Sequence, residues 1–583
     1  MTQRPRNQRD SIKNGSTTFS ESVGGRFSAL SALIGSPRLA VVFVLFAIFS
    51  LVLFVRLFDL QVIKHDQYSE MASASRTISF DINARRGTIY DRNGVVLATS
   101  VDATTVYCNP TEITDIKAAA KAVAETLGGE ASDYEEPLSR EGTPFAYVKR
   151  QADVDAAARL KEKEIEGIYF IDDSRREYPN GAIGGQVIGV CDVDGNGITG
   201  LELQYDELLK GTPGSYSAQR GEGGMPIPGG VNEDTPAVDG QDIMVSLDIK
   251  LQDSVEQALK KGVEDPRIAG EKGSSVVMDS STGEIYAICS LPYLDPTNME
   301  ESEVGSENLT AVSQAFEPGS IFKTVSALAV LEHGVMKPED ELFCPSYIQA
   351  DEYQVSDAHD RGDATMTLRE ILDKSSNVGI SLASERMGFD KLYDAIARYH
   401  LAEATGVDYP GEASGYVQDL DTWALITGYN VSFGQGIAVT PLQMTRFYAA
   451  IANDGVEVTP HFLISLPQTG EHPQYETERV IDNQQALDDI KSMLRTVVTD
   501  GTGVDANIEG YEVVGKTSTA EVAREGEYVK GLYNLCFTGF IDNSSSPLVC
   551  FVSANEVYSE ASVASIFHDI MANAVDQYNI VPE

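Results

Sequence analysis

The longest uncharged run in the chain lies near its N-terminus. Leu39 to Val55 is seventeen residues without a charge. At about 1.5 Å per residue it just crosses a hydrocarbon core of about 30 Å, and Arg38 and Arg56 flank it where their heads reach the interface. A core helix of a globular protein carries a polar stripe at helical spacing, and this run has none. Arg56-Leu57-Phe58-Asp59 follows in place of a small-residue cleavage site, so the run reads as an uncleaved anchor at 38–58. Residues 1–37 are polar and Ser/Gly-rich and read as a disordered tail. With Arg38, this stretch holds Arg4, Arg6, Arg9, Lys13 and Arg26 against Asp10 and Glu21. That excess predicts a cytoplasmic N-terminus, a single-pass protein of the plasma membrane and an extracytoplasmic body.

Beyond the anchor, Leu57 to Arg76 continues as an amphipathic helix. Ile89-Tyr90 and Val95 to Ala98 read as strands around an Asn93-Gly94 hairpin turn. Thr111 to Gly129 and Val154 to Glu166 are expected helices. Residues 59–240 carry no obvious chemistry and read as a non-catalytic pedestal. Gly and Pro crowd 221–241, and the boundary is drawn near Asp242. From there, Ile243 to Leu247 alternates as a strand, Lys250 to Val263 follows as a helix, and Ser275 to Asp279 and Glu284 to Ser290 form a strand pair. At the far end Tyr511 to Val514, Cys536 to Ile541 and Leu548 to Ser553 are strands, and Ala561 to Gln577 is a helix. The class is α+β and multidomain, with an antiparallel sheet flanked by helices at 241–583 and a mainly helical insertion between its strands.

One helix within that second part changes the picture. Phe316-Glu317-Pro318-Gly319 breaks the chain. Ile321, Phe322, Val325, Leu328 and Ala329 then recur at helical spacing up to Gly334, a left-handed stop. Ser320 lies in the first turn, and Lys323 lies three residues on, about 5–6 Å away on the same face. A serine hydroxyl needs a neighbouring base to become a nucleophile, and a lysine in apolar surroundings has its pKa lowered enough to be that base. The helix N-terminus also offers backbone N–H groups to an oxyanion. Ser-x-x-Lys occurs by chance in long chains, but this is its one occurrence here.

Composition narrows the remaining classes. The net charge of −44 repels phosphate backbones, which excludes nucleic acid as a partner. Six scattered cysteines make no disulfide scaffold, although Cys536 and Cys550 are placed on adjacent strands. No Cys-x-x-Cys or His-Glu-x-x-His is present, so no metal site is proposed.

Two polar interruptions follow Ser320 in order. Thr367-Leu-Arg-Glu370 is a capping box opening a short helix. Ser375-Ser376-Asn377 then precedes a second helix, Val378 to Met387, so these side chains lie between two helices. Val513-Val514-Gly515-Lys516-Thr517-Ser518-Thr519-Ala520 is a strand that turns polar halfway along. Lys and hydroxyls on a sheet edge suit an extended peptide and its carboxylate.

Together Ser320-Ile-Phe-Lys323, Ser375-Ser-Asn377 and Lys516-Thr517-Ser518 resemble the three motifs of the penicillin-recognising serine enzymes, Ser-x-x-Lys, Ser-x-Asn and Lys-Thr-Gly. The anchor, the Arg86-Gly87-x-Ile89-x-Asp91-Arg92-Asn93-Gly94 stretch, the Glu317-Pro318-Gly319-Ser320 lead-in and Gly434-Gln435-Gly436 to Gln443 are similar to class B penicillin-binding proteins. The resemblance covers about residues 38–575. It implies an elongated pedestal of the dimerisation type and a penicillin-binding transpeptidase domain. It implies a serine-type D-Ala-D-Ala transpeptidase that cross-links peptidoglycan stem peptides, of the septal division type, and a penicillin target. No cofactor is implied.

The resemblance assigns Lys323 as the base for Ser320. Ser375 and Lys516 relay a proton to the leaving amine, Asn377 holds the substrate amide, and Thr517 and Thr519 bind the terminal carboxylate. The N–H groups of Ser320 and Thr519 form the oxyanion hole. Implied partners are β-lactams, a membrane glycosyltransferase and divisome proteins. Alternatives are a catalytically weak scaffold for that glycosyltransferase and a β-lactam-sensing or hydrolysing enzyme of the same fold. The chain departs from the pattern at Ser518, where the family has Gly. A side chain there either narrows the cleft or points away, and Ser518→Gly is expected to speed acylation by penicillin.

Overall fold

The computed structural model describes residues 37–65, 77–82, 84–219, 233–350, 352–524 and 527–582. The expected tail at 1–37, the helix continuing over 57–76 and the joint at 221–241 lie wholly or in part outside these residues. The described chain forms two bodies, one of residues up to Asp81 with Ser215–Thr235, the other of Ile82–Gly214 with Pro236 onward.

The first body contains helix α1 (Pro37–Phe58), prolonged by a π-turn at Asp59–Ile63. Its apolar stretch, Val41–Ile63, is 23 residues long. Phe46 and Phe54 are about two-thirds exposed, and their apolar neighbours all round the helix are exposed as well. Apolar side chains open on every side suit lipid rather than a protein core, and the helix fits a single-pass membrane anchor.

The second body begins with the expected hairpin. Strand β1 (Ile89–Tyr90) pairs antiparallel with β2 (Val96–Cys108) around a turn in which Gly94 takes φ +81°. The return strand is longer than its local pattern suggests because β3 (Ala146–Ala152) and β4 (Ile168–Glu177) both pair with it. Helices α2 (Ile116–Leu127), α3 (Ala131–Ser139) and α4 (Val154–Lys161) close a small core around Val106, Val123, Leu138 and Leu160. The first and last of these are shorter than the sequence pattern predicts. Asp115 accepts a backbone N–H bond as N-cap and sets the later start of α2, whereas α4 starts at Val154 as expected, behind the Asp153 cap, and stops early at Lys161.

Strand β5 (Ile243–Val245) runs parallel to β1, so the polypeptide on either side of Asp242 shares a sheet. Helix α5 (Ile249–Val263) follows, then β6 (Lys272–Asp279) and β7 (Ile285–Ser290). The insertion contains α6 (Lys323–Glu332), α7 (Leu368–Asp373), α8 (Asn377–Met387), α9 (Pro441–Ala452), β8 (Leu463–Ser465) and α10 (Gln484–Thr499). Strands β9 (Glu512–Arg524), β10 (Glu527–Asp542) and β11 (Leu548–Val557) and helix α11 (Ala564–Tyr578) complete the chain.

The main sheet has the order β7-β6-β11-β10-β9, antiparallel throughout, with β9 at the edge. Alternation along β11 supplies two cores at once. Cys550, Val552 and Ala554 pack with α5 and α11, whereas Val549 and Phe551 face the side that holds α6 and α9. Cys536 and Cys550 do lie on adjacent strands, but they belong to opposite cores and opposite partners, Ser553 and Gly539. Both are free, buried thiols.

Candidate active site

Ser320 is half-buried in a 3-10 turn, Gly319–Phe322, that leads directly into α6. The helix is anchored by its own sequence. Ile321, Phe322, Val325 and Leu328 are fully buried, each contributing about 1.5–3 kcal/mol of apolar burial. The chain approaches edge strand β9 closely at Gly319, which has φ +55°. A Cβ there would lie 2.6 Å from Ser518 Oγ and 2.7 Å from Ala520 Cβ. A residue with a side chain would push the Ser320 turn off the strand.

Lys323 is fully buried on the first α-helical turn and donates to the Ser375 carbonyl and, at 3.1 Å, to Ser375 Oγ. Lys516, also fully buried, reaches the same hydroxyl from β9 at 3.1 Å and donates to the Thr517 carbonyl at 3.0 Å. One serine hydroxyl thus joins the amines of the first and third motifs. Ser375 itself is left-handed at φ +53°, a conformation that costs a non-glycine residue energy and is held here by the turn between α7 and α8. Burial pushes the Lys323 amine well below its ordinary pKa. Lys516 pushes it in the same direction and Asp357 opposes both. Burial likewise brings Lys516 down to about 7, against the pull of Asp373.

The remaining expected residues are placed less centrally. Asn377 opens α8, and its amide nitrogen donates to the Ser356 carbonyl at 3.0 Å. Thr517 shares a 2.5 Å hydrogen bond with Thr502, and Thr519 is exposed on the same strand. Ser518 is buried. Its side chain lies on the same face of β9 as Lys516, beneath the turn that carries Ser320. Its hydroxyl donates to the Pro318 carbonyl at 2.7 Å and accepts the Ser320 N–H at 2.8 Å.

Two residues escaped the sequence reading. Asp357 accepts from Ser376 Oγ at 2.9 and 3.0 Å and from the Val378 N–H at 2.9 Å, and pairs with Arg361 at 2.5 Å. It therefore clamps the Ser375–Asn377 turn to the irregular segment before α7. No local periodicity marks it, and nothing in the sequence separates it from Asp360 and Asp363 close by. Tyr448 of α9 is the second. It is fully buried and bonds Thr324 Oγ1 at 2.7 Å and the Ile321 carbonyl at 3.1 Å, bracing the start of α6.

Comparison with known proteins agrees with this arrangement. Residues 273–572 match the penicillin binding protein transpeptidase domain, and residues 81–245 match the penicillin-binding protein dimerisation domain. The chain is 31% identical to the penicillin-binding protein PbpB of Mycobacterium tuberculosis over 571 residues, covering 91% of this chain and 83% of that one. It is 30% identical to the peptidoglycan D,D-transpeptidase FtsI of Escherichia coli K12 over 542 residues, covering 90% and 89%. The crystal structure of penicillin binding protein 3 from Mycobacterium tuberculosis in complex with aztreonam superposes with a TM-score of 0.67 at 30% identity, over 86% of this chain and 98% of that one. An α+β fold with a dimerisation-type domain ahead of a transpeptidase domain, and matches that span nearly the whole chain, place this protein in the class B penicillin-binding protein family.

Proposed function

We propose that this protein is a peptidoglycan D,D-transpeptidase of the division type that works through an acyl-enzyme on Ser320. The observation that carries the reading is the Ser375 hydroxyl held between two buried, deprotonation-prone lysines, one of them a single turn from Ser320. Lys323, its proton affinity lowered by burial, takes the Ser320 proton as Oγ attacks the carbonyl carbon of the penultimate D-Ala. The tetrahedral oxyanion lies against the N–H groups of Ser320 and Thr519. The C–N bond then breaks. The proton reaches the departing D-Ala amine through Ser375 and Lys516, leaving the acyl group on Ser320. An amine of a second stem peptide attacks that ester, loses a proton to the same relay and restores the serine. Asn377 holds the donor's amide, and Thr517 and Thr519 meet its terminal carboxylate.

In this reading 1–37 is a cytoplasmic tail, 38–58 the anchor, 59–240 the pedestal and 241–583 the extracytoplasmic transpeptidase domain. The basic residues before Leu39 support that orientation. A membrane glycosyltransferase would supply the glycan strands, with divisome proteins bound to the pedestal. The test is intact mass after benzylpenicillin treatment. The wild type gains one penicilloyl adduct and Ser320→Ala gains none. An adduct of equal yield on the variant would remove Ser320 from the role.

A further inference from the structure

The oxyanion-hole N–H of Ser320 is already occupied. Ser518 Oγ accepts it at 2.8 Å while donating to the Pro318 carbonyl at 2.7 Å. An oxyanion is stabilised by donors about 2.7–3.1 Å away, so this hydroxyl takes the place a substrate oxygen would need. Ser518 is 4% exposed, and the close approach at Gly319 fits the turn against its side chain. The hydroxyl exists here because the third motif ends in Ser rather than Gly.

We propose that Ser518 is a specificity-determining residue, its hydroxyl capping the Ser320 N–H so that every acyl donor has to displace it. This rests on the acyl-transfer reading above. Displacement hands the Ser320 N–H to the donor but leaves the Ser518 hydroxyl and the Pro318 carbonyl to find other partners, a cost the donor offsets from its remaining contacts. An extended peptide lying along the β9 edge has many such contacts, whereas a small bicyclic β-lactam has few. The cap therefore discriminates against β-lactams and in favour of peptide-like donors.

The experiment measures acylation of the full-length protein in detergent by benzylpenicillin and by a D-alanyl-type peptide thioester. Wild type, Ser518→Ala and Ser518→Gly are compared, with thermal melting to establish that each is folded. Both variants are expected to raise the limiting acylation rate by benzylpenicillin about tenfold, roughly the worth of one hydrogen bond. The noncovalent Kd stays within about twofold, because the gain belongs to the transition state. The thioester gains less, about twofold. Slower acylation of folded variants would make Ser518 a strut for the Ser320 turn and overturn the inference. So would acceleration in Ser518→Gly alone, which would point to side-chain bulk, or equal gains for both donors. Failure of all three proteins to form any adduct would defeat the acyl-enzyme reading itself.

Discussion

Two clusters in the second body bury charge, and they do so in opposite ways. Arg86 is held between Glu202 at 2.5 Å and Asp206 at 2.6 Å, and Arg176 binds the other oxygen of Glu202 at 2.6 Å. Two cations meet two carboxylates, and Glu202 is wholly buried. Burial alone would lower the Arg86 pKa, but Glu202, Cys191 and Asp206 together outweigh it, and the guanidinium is held above its ordinary value. At the active site two buried lysines converge on a neutral hydroxyl and repel each other. An ion cluster that balances its charges serves the fold. One that concentrates like charges spends stability to lower the proton affinity of its amines, which suits proton transfer.

That difference is tested first by paired substitutions to methionine. Arg86→Met leaves Glu202 with one cation fewer in a buried site and is expected to cost about 3–5 kcal/mol in denaturant unfolding. The acylation rate per folded molecule should be unchanged. Lys323→Met is expected to slow benzylpenicillin acylation by about 10²–10⁴-fold, the range of a lost general base, without lowering Tm. If the effects were exchanged, with Arg86→Met inactive but stable and Lys323→Met active but destabilised, the contrast would fail.

The pH dependence of stability sharpens it. Lys516 has a folded pKa of about 7 against an ordinary 10.5. Between those values the unfolded chain binds more protons than the native one, so this residue's contribution to stability rises with pH. Below pH 7 its burial penalty is at its greatest, and above 10.5 the penalty is gone. Lys516→Met removes the slope. Its Tm should exceed that of wild type at pH 7, and the gap should close toward pH 10, at no more than about 1.4 kcal/mol per pH unit. A gap independent of pH would mean that Lys516 is not strained by burial.

Much of this was legible in the chain beforehand, for identifiable reasons. The apolar run of α1, the buried face of α6 and the alternation along β9 to β11 are local patterns, and local patterns survive in sequence. The three motifs were findable because each needs a particular residue type within a few positions. The partners of those motifs were not. Glu202 is 116 residues from Arg86, and Asp357 reaches Ser376 from a segment without periodicity. Ser518 was recognised as a departure, but its alternatives, narrowing the cleft or pointing away, omitted the observed one. Its position on β9 aims it at the backbone of the Ser320 turn, a contact across 198 residues. The start of α2 was misjudged because the Asp115 cap competes with periodicity and wins at the terminus, whereas α4 starts at Val154 as read and only its C-terminal end falls short, at Lys161.

Asp357 provides the smallest and most selective test of the like-charge cluster. It is the carboxylate that opposes burial and Lys516 in setting the Lys323 proton affinity. Asp357→Asn keeps a carbonyl oxygen for the Val378 N–H and a polar partner for Ser376, so the turn should hold. The acylation rate on the pH plateau should fall by no more than about tenfold, the worth of about one hydrogen bond. Its charge, however, is gone, and Arg361 loses its counter-ion. Both changes disfavour a protonated Lys323, so its pKa drops further. The acid limb of the acylation rate, where Lys323 takes up a proton and stops acting as a base, should therefore move to lower pH. An acid limb that stayed in place or moved upward in Asp357→Asn would show that Lys323 is not the group titrating there, and the base would have to be sought at Lys516.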